Sequence, residues 1–173
     1  LKFENGNILL NEELLNFVLE AKIIFDYLKI YEKNLSSFVL EQAIICGILK
    51  DIDKNDKSDI INRIINRLDY VSEEYEKGWK GEFLSEKNLK LYRTVRGVEQ
   101  SGNIDFSLIN STDGKKIVEM TEKIGSFYNK CFNFEKKGKI KKIKSPSELY
   151  SFVLSEGEKG LSLQRYKGLG EMN

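Results

Sequence analysis

Apolar positions along this chain follow two periods, and the change between them falls near Gly78. Before it the spacing is helical. Leu14, Val18, Phe25 and Leu28 predict a buried stripe on a first helix, with Asn11 as its cap and Glu12 and Glu13 well placed in its first turn. A second helix is expected over 37–49; it is apolar on most sides and so reads as the central core element. Ser58 is the expected cap of a third, whose face is Ile60, Ile61, Ile64, Ile65, Leu68 and Val71. Ahead of these helices, Asn5-Gly6 is a favoured type I′ turn flanked by Leu1, Phe3, Ile8 and Leu10, which predicts an opening hairpin.

After Gly78 alternation takes over. Residues 79–84 and 89–98 read as strands of an antiparallel sheet, with Gly102 marking a turn. Thr112 opens another helix through Tyr128, with Ile117, Met120, Ile124 and Phe127 on one face. Phe132, Phe134 and Ile140 flank a Lys137-Gly138 turn. Ser145-Pro146-Ser147-Glu148 is a capping box with proline at the first helical position, so a helix starts there, and Gly160 is its expected C-cap. A short strand over 161–166 and a glycine-rich end complete the reading. The fold class is therefore α+β: a helical N-terminal half, then a small antiparallel sheet with flanking helices in the C-terminal half. No repeat is visible, and a chain of 173 residues fits one domain with a small appendage.

Composition narrows the chemistry. There is no histidine, which removes the commonest general base and most zinc sites. Cys46 and Cys131 are too few for a disulfide framework, and Cys46 lies in an apolar run where a buried structural thiol is expected. The net charge of +1 conceals a division: residues 1–86 carry 11 basic and 17 acidic side chains (net −6), and residues 87–173 carry 17 and 10 (net +7). Such polarity suits a polyanionic partner for the second half, or else solvated faces of opposite sign. Lysine outnumbers arginine 23 to 5, which argues against sequence-specific base reading. No apolar run is long enough for a membrane span, and no membrane partner is expected. Leu1 shows no basic-then-apolar leader, so a cytoplasmic location is expected; the missing initiator Met suggests a piece of a longer polypeptide.

Three segments are candidates for chemistry. Asp51-Ile52-Asp53-Lys54-Asn55 opens like a calcium loop, but Asp56 stands where the loop needs glycine and Asn62 where it needs a bidentate glutamate. Asp51 and Asp53 also spell a magnesium-type Asp-x-Asp, yet they follow a helix instead of ending a strand, so a polar interhelical loop is expected and no metal site. Lys136, Lys137, Lys139, Lys141, Lys142 and Lys144 place six ammonium groups within nine residues. They read either as a phosphate-engaging turn or as a solvated hairpin. At the end of the chain, Gly168 and Gly170 permit close backbone approach beside Arg165 and Lys167: a phosphate-friendly loop or a structural tight turn. Asn173 stands in the third-glycine place, which rules out a dinucleotide fingerprint.

Residues Arg165 to Asn173, RYKGLGEMN, resemble the signature that follows the TOPRIM core of type IIA topoisomerase B subunits. Gly160-Leu161-Ser162-Leu163-Gln164 resembles the strand leading into it in bacterial DNA gyrase B. The Gly78-Trp79-Lys80 segment, the Val95-Arg96-Gly97-Val98 strand and the Asn5-Gly6 hairpin are similar to the long insert that many gyrase B subunits carry within TOPRIM. The resemblance implies an insert over 1–160, helical over 11–77 and mixed over 78–160, with a TOPRIM segment over 161–173. It further implies a parent enzyme that passes one duplex through another, driven by ATP and magnesium, paired with a gyrase A subunit in an A2B2 tetramer. This segment would hold no cofactor and no catalytic residue. Arg165, Tyr166, Lys167, Gly168, Leu169, Gly170 and Glu171 would lie near DNA, with Tyr166 packing and the nucleophilic tyrosine on the partner subunit. The acidic magnesium motifs of the family are not matched here. Two other readings stand beside it: a stand-alone nucleic-acid or protein adaptor, and a metal-dependent nuclease that would need Asp51.

Overall fold

The computed structural model describes residues 2–3, 8, 10–29, 36–47, 57–107, 111–128, 131–136 and 139–159. Five helices and six strands occur among them: β1 Lys2–Phe3, α1 Asn11–Leu28, α2 Ser36–Ile45, α3 Lys57–Val71, β2 Lys80–Ser85, β3 Asn88–Val95, β4 Val98–Asp105, α4 Thr112–Tyr128, β5 Phe132–Lys136, β6 Lys139–Ile143 and α5 Pro146–Glu158. The fold is α+β, as expected, but its strands form two three-stranded antiparallel sheets, β2-β3-β4 and β1-β5-β6. The second sets the start of the chain beside strands from its last third. Lys2 pairs with Asn133 and Phe3 with Phe132, which sets β1 beside β5. The Asn5-Gly6 turn lies outside the described residues.

Helix α1 begins one residue earlier than expected. Its cap position is Leu10, with no side-chain cap hydrogen bond, and Asn11 is the first helical residue. Its buried stripe is Phe17, Ala21, Ile24 and Leu28, rotated from the expected Leu14, Val18 and Phe25, which are half-buried. Leu15, Leu19 and Ile23 face solvent. Helix α2 is the core element anticipated, with every residue from Val39 to Ile45 buried. It stops four residues short of position 49 because Gly47 adopts a left-handed φ of 74° and donates to Ile44 O, a helix-terminating geometry that glycine enters without steric cost. Helix α3 starts at Lys57, so Ser58 lies inside its first turn and is not the cap. Its inner face is Ile60, Ile64, Leu68 and Val71, with Ile61 and Ile65 half-buried beside it.

The first sheet departs most from expectation. The Val95-Arg96-Gly97-Val98 stretch is a hairpin turn, with Arg96 at φ 51° and Gly97 at φ 79°, the two left-handed positions of a type I′ turn. Gly102, read as a turn, lies inside β4, buried and paired with Leu91. Leu89, Leu91 and Ile104 point into the core, against which α2 packs. Helix α4 has the expected bounds, and Ser111 Oγ accepts from Gly114 N at 3.0 Å to cap it. Ile117 is buried; the side chains of Ile124 and Phe127 lie outside the description. Helix α5 packs along α1, bringing Tyr150 to 5.0 Å from Phe25, while Phe17 meets Phe132 edge-on at 6.0 Å. One arm of the capping box is present, Ser145 Oγ accepting from Glu148 N at 3.3 Å, while the Glu148 carboxylate accepts from Lys144 N, one residue before the cap; Pro146 opens the helix. Its C-cap is Lys159, while Gly160 and the strand expected over 161–166 lie outside the described residues.

Candidate nucleic-acid interface

The lysine-rich run forms a hairpin. Strands β5 and β6 pair from Phe132↔Ile143 to Lys136↔Lys139, and the Lys137-Gly138 turn falls outside the described residues. On β6 the pleat buries Ile143 and leaves Ile140 exposed. Three lysines of the run can be followed to their tips. Lys141 Nζ lies 4.5 Å from the Phe152 ring centroid and 3.6 Å from Glu148 Oε1. Lys142 Nζ lies 5.2 Å from the Tyr70 ring centroid, and Arg67 approaches the same half-exposed ring at 5.6 Å. Lys144 Nζ donates to Glu73 Oε1 at 2.8 Å, and that hydrogen bond holds the Glu73 carboxyl below its ordinary value. Exposed pairs like these are worth about 0–1 kcal/mol, so a phosphate oxygen can displace the carboxylate at little cost. The backbones of Lys136 and Lys139 are placed by the strand register; their side chains are outside the description.

A buried polar clamp holds this strand to the helical half. Arg67, 7% exposed on the inner face of α3, donates through Nε to Gln42 Oε1 at 3.0 Å and through Nη2 to Lys144 O at 2.8 Å. Next to Gln42, Glu41 accepts from Ser147 N at 2.8 Å and from Ser147 Oγ at 2.6 Å. Burial pushes the Glu41 carboxyl above its ordinary value, against the opposing pull of the serine hydrogen bonds. Lys144 N in turn donates to Glu148 Oε2 at 2.7 Å. Strand β6 and the start of α5 are thus tied by side chains to α2 and α3. Sequence reading missed Glu41, Gln42 and Arg67. The available signal was three polar residues at positions that helical spacing sends inward.

The remaining candidates resolve as follows. Arg165, Tyr166, Lys167, Gly168, Leu169, Gly170 and Glu171 lie outside the described residues, as do Asp51, Asp53, Asn55 and Asp56. Asn62 is exposed on α3. Among the described residues no group of three or more His, Cys, Asp or Glu could hold a metal ion, and no helix is long and apolar enough to cross a membrane. Cys46 is half-buried. Its Sγ lies 3.7 Å from Arg63 O, and burial pushes the thiol up to about 11, which disfavours the thiolate at neutral pH. Cys131 is buried.

The chain's relatives are topoisomerase subunits. It is 36% identical over 107 residues to the DNA gyrase B subunit of Caulobacter vibrioides, a match covering 62% of this chain and 13% of that protein. It is 26% identical over 113 residues to the DNA gyrase B subunit of Rickettsia bellii, covering 65% of this chain and 14% of the relative, and 28% identical over 88 residues to that of Rickettsia conorii, covering 51% and 11%. The chain is related to the B subunits of DNA gyrase, and it spans about one seventh or less of the length of these relatives. No protein-family model matches it.

Proposed function

We propose that this chain is a non-catalytic, DNA-supporting segment of a gyrase-B-like protein. The carrying observation is its 36% identity over 107 residues to a DNA gyrase B subunit. On this reading the parent is an ATP-dependent, magnesium-requiring type II topoisomerase of the cytoplasm that negatively supercoils DNA together with a gyrase A subunit. The segment itself braces the complex and offers phosphate contacts, while Arg165 to Glu171 lie near the cleaved duplex. Two features support the DNA role: the concentration of lysines on one hairpin, and the buried clamp that holds that hairpin still. Phosphate contacts of this kind position a duplex without reading its sequence.

Two measurements test it. The coding sequence on either side of the chain is expected to carry acidic magnesium motifs upstream and a continuation of the RYKGLGEMN motif downstream. Fluorescence anisotropy with a labelled duplex is expected to show weak, sequence-independent binding at low salt, with log K falling by about 0.9 per phosphate engaged for each tenfold rise in salt. Replacing Lys141, Lys142 and Lys144 together by Glu is expected to flatten that slope. If no binding appears at low salt, the hairpin is a solvated surface and the DNA-supporting role fails.

A further inference from the structure

A cavity of about 430 Å³ opens where the end of α1, the first turns of α2 and the β6–α5 junction meet. That volume lies in the range of small-ligand sites. Phe25, Leu28 and Phe38 supply its apolar lining, and Glu41, Ser145, Ser147 and Glu148 its polar lining. Glu41 is 2% exposed, yet its donors are neutral, the N–H and O–H of Ser147 with the Ser145 hydroxyl beside them; no ion pair reaches it among the described residues. The two lysines on the cavity's lining are engaged elsewhere: Lys29 with Asp26 at 3.4 Å, and Lys144 with Glu73 at 2.8 Å. Glu148 adds a second carboxylate to the same lining and pairs outward with Lys141.

A buried carboxylate held only by neutral donors carries a desolvation cost that a cation beside it would relieve. The aromatic lining suits an apolar stem on that cation, because Lys29 Nζ, 4.9 Å from the Phe25 ring centroid, already holds the ammonium place on that ring. We propose that this cavity binds a primary ammonium on an apolar stem, with Glu41 taking the ammonium and Phe25 and Phe38 the stem. The ammonium comes either from a free alkylamine or from a lysine side chain of another polypeptide.

The test titrates the 173-residue chain with n-butylammonium and with Nα-acetyl-lysine methylamide, followed by NMR. Saturable shifts are expected at Phe38 and Ser147, about tenfold or more weaker in Glu41→Gln, which loses a charge-assisted hydrogen bond. n-Butanol, with the same stem and no charge, is expected to bind about tenfold or more weaker than n-butylammonium by the same reasoning. Binding to the unsubstituted chain should also weaken as Glu41 protonates. These two comparisons keep the proposal testable should Glu41→Gln unfold. Tighter binding of the lysine analogue assigns the guest to a partner polypeptide; tighter binding of n-butylammonium assigns it to a free amine. Equal binding of butanol and butylammonium, undiminished binding by folded Glu41→Gln, or no saturable binding overturns the proposal.

Discussion

The guanidinium of Arg93 lies 4.7 Å from the Trp79 ring centroid, and both side chains donate to Ser72 Oγ, the indole N–H at 3.1 Å and Nη1 at 3.4 Å. Arg93 also donates through Nε to Gln100 Oε1 and through Nη1 to Glu76 O, both at 3.1 Å. Glu76 Oε2 approaches Nη1 at 3.5 Å. Asp69, near the end of α3, accepts from Gly78 N and Trp79 N. This knot joins α3, the Glu74–Glu76 turn and two strands of the first sheet, so it fixes how the helical half meets the sheet.

Arg93→Ala removes the shared donor and leaves Gln100 and Glu76 without it. The expected loss is about 1.5–3 kcal/mol, the range for losing hydrogen bonds to a charged group, because Glu76 is part-exposed and stays solvated. Arg93→Lys keeps the charge but not the planar fork, and should recover only part of the loss. Urea unfolding measures both. A loss below about 1 kcal/mol for Arg93→Ala would mean the knot is ornamental.

The capping box of α5 makes a smaller, sharper prediction. Ser145 Oγ accepts from Glu148 N, while the Glu148 carboxylate reaches back to Lys144 N. Ser145→Ala is expected to cost about 1 kcal/mol, within the usual range for losing an N-cap. Because Lys144 O also receives Arg67, the loosened turn should speed amide exchange along β6 as well as in α5. Hydrogen exchange by NMR reads this directly; a change confined to α5 would show that the junction is not coupled.

The β3–β4 turn places Arg96 at φ 51°, a conformation in which a side chain is strained. Arg96→Asn is expected to stabilise the fold by up to about 1 kcal/mol, since left-handed geometry disfavours most L-residues by that order. Gly97→Ala, at φ 79°, should destabilise by a similar amount. The two thermal midpoints must move in opposite directions. Movement in the same direction would exclude a type I′ turn here.

Local signals were legible in the sequence where one kind of residue had one meaning. Helix α4 has its expected bounds because its apolar period is clear and Ser111 stands before Thr112. The Ser145 box and the β5–β6 hairpin were equally plain. Helix α1 was harder because apolar residues lie on nearly all its sides, so periodicity pointed to Leu14-Val18-Phe25-Leu28 where the inner stripe is Phe17-Ala21-Ile24-Leu28. Gly102 misled for a related reason. A strand that pairs a bare backbone with Leu91 uses the same residue as a turn, and the turn formed instead at Arg96-Gly97. The clamp was invisible because its partners are far apart in sequence: Gln42 and Arg67 by 25 residues, Glu41 and Ser147 by 106.

Glu41 makes stability depend on pH, and the sign follows from burial. Its carboxyl is raised above the ordinary value of 4.5, first by desolvation, while the Ser147 hydrogen bonds pull the other way without reversing the shift. A carboxyl raised in the folded state favours the fold most when protonated. Its contribution is therefore complete below the unfolded value and is lost as pH rises through the folded one. Glutamine has no charge to desolvate, so the stability difference between Glu41→Gln and the unsubstituted chain should move in favour of glutamine as pH rises from about 4 to about 8. Paired urea titrations across that window measure it. A difference that stays flat, or moves toward glutamate as pH rises, would mean that the serine hydrogen bonds outweigh burial and that the folded carboxyl is not raised at all.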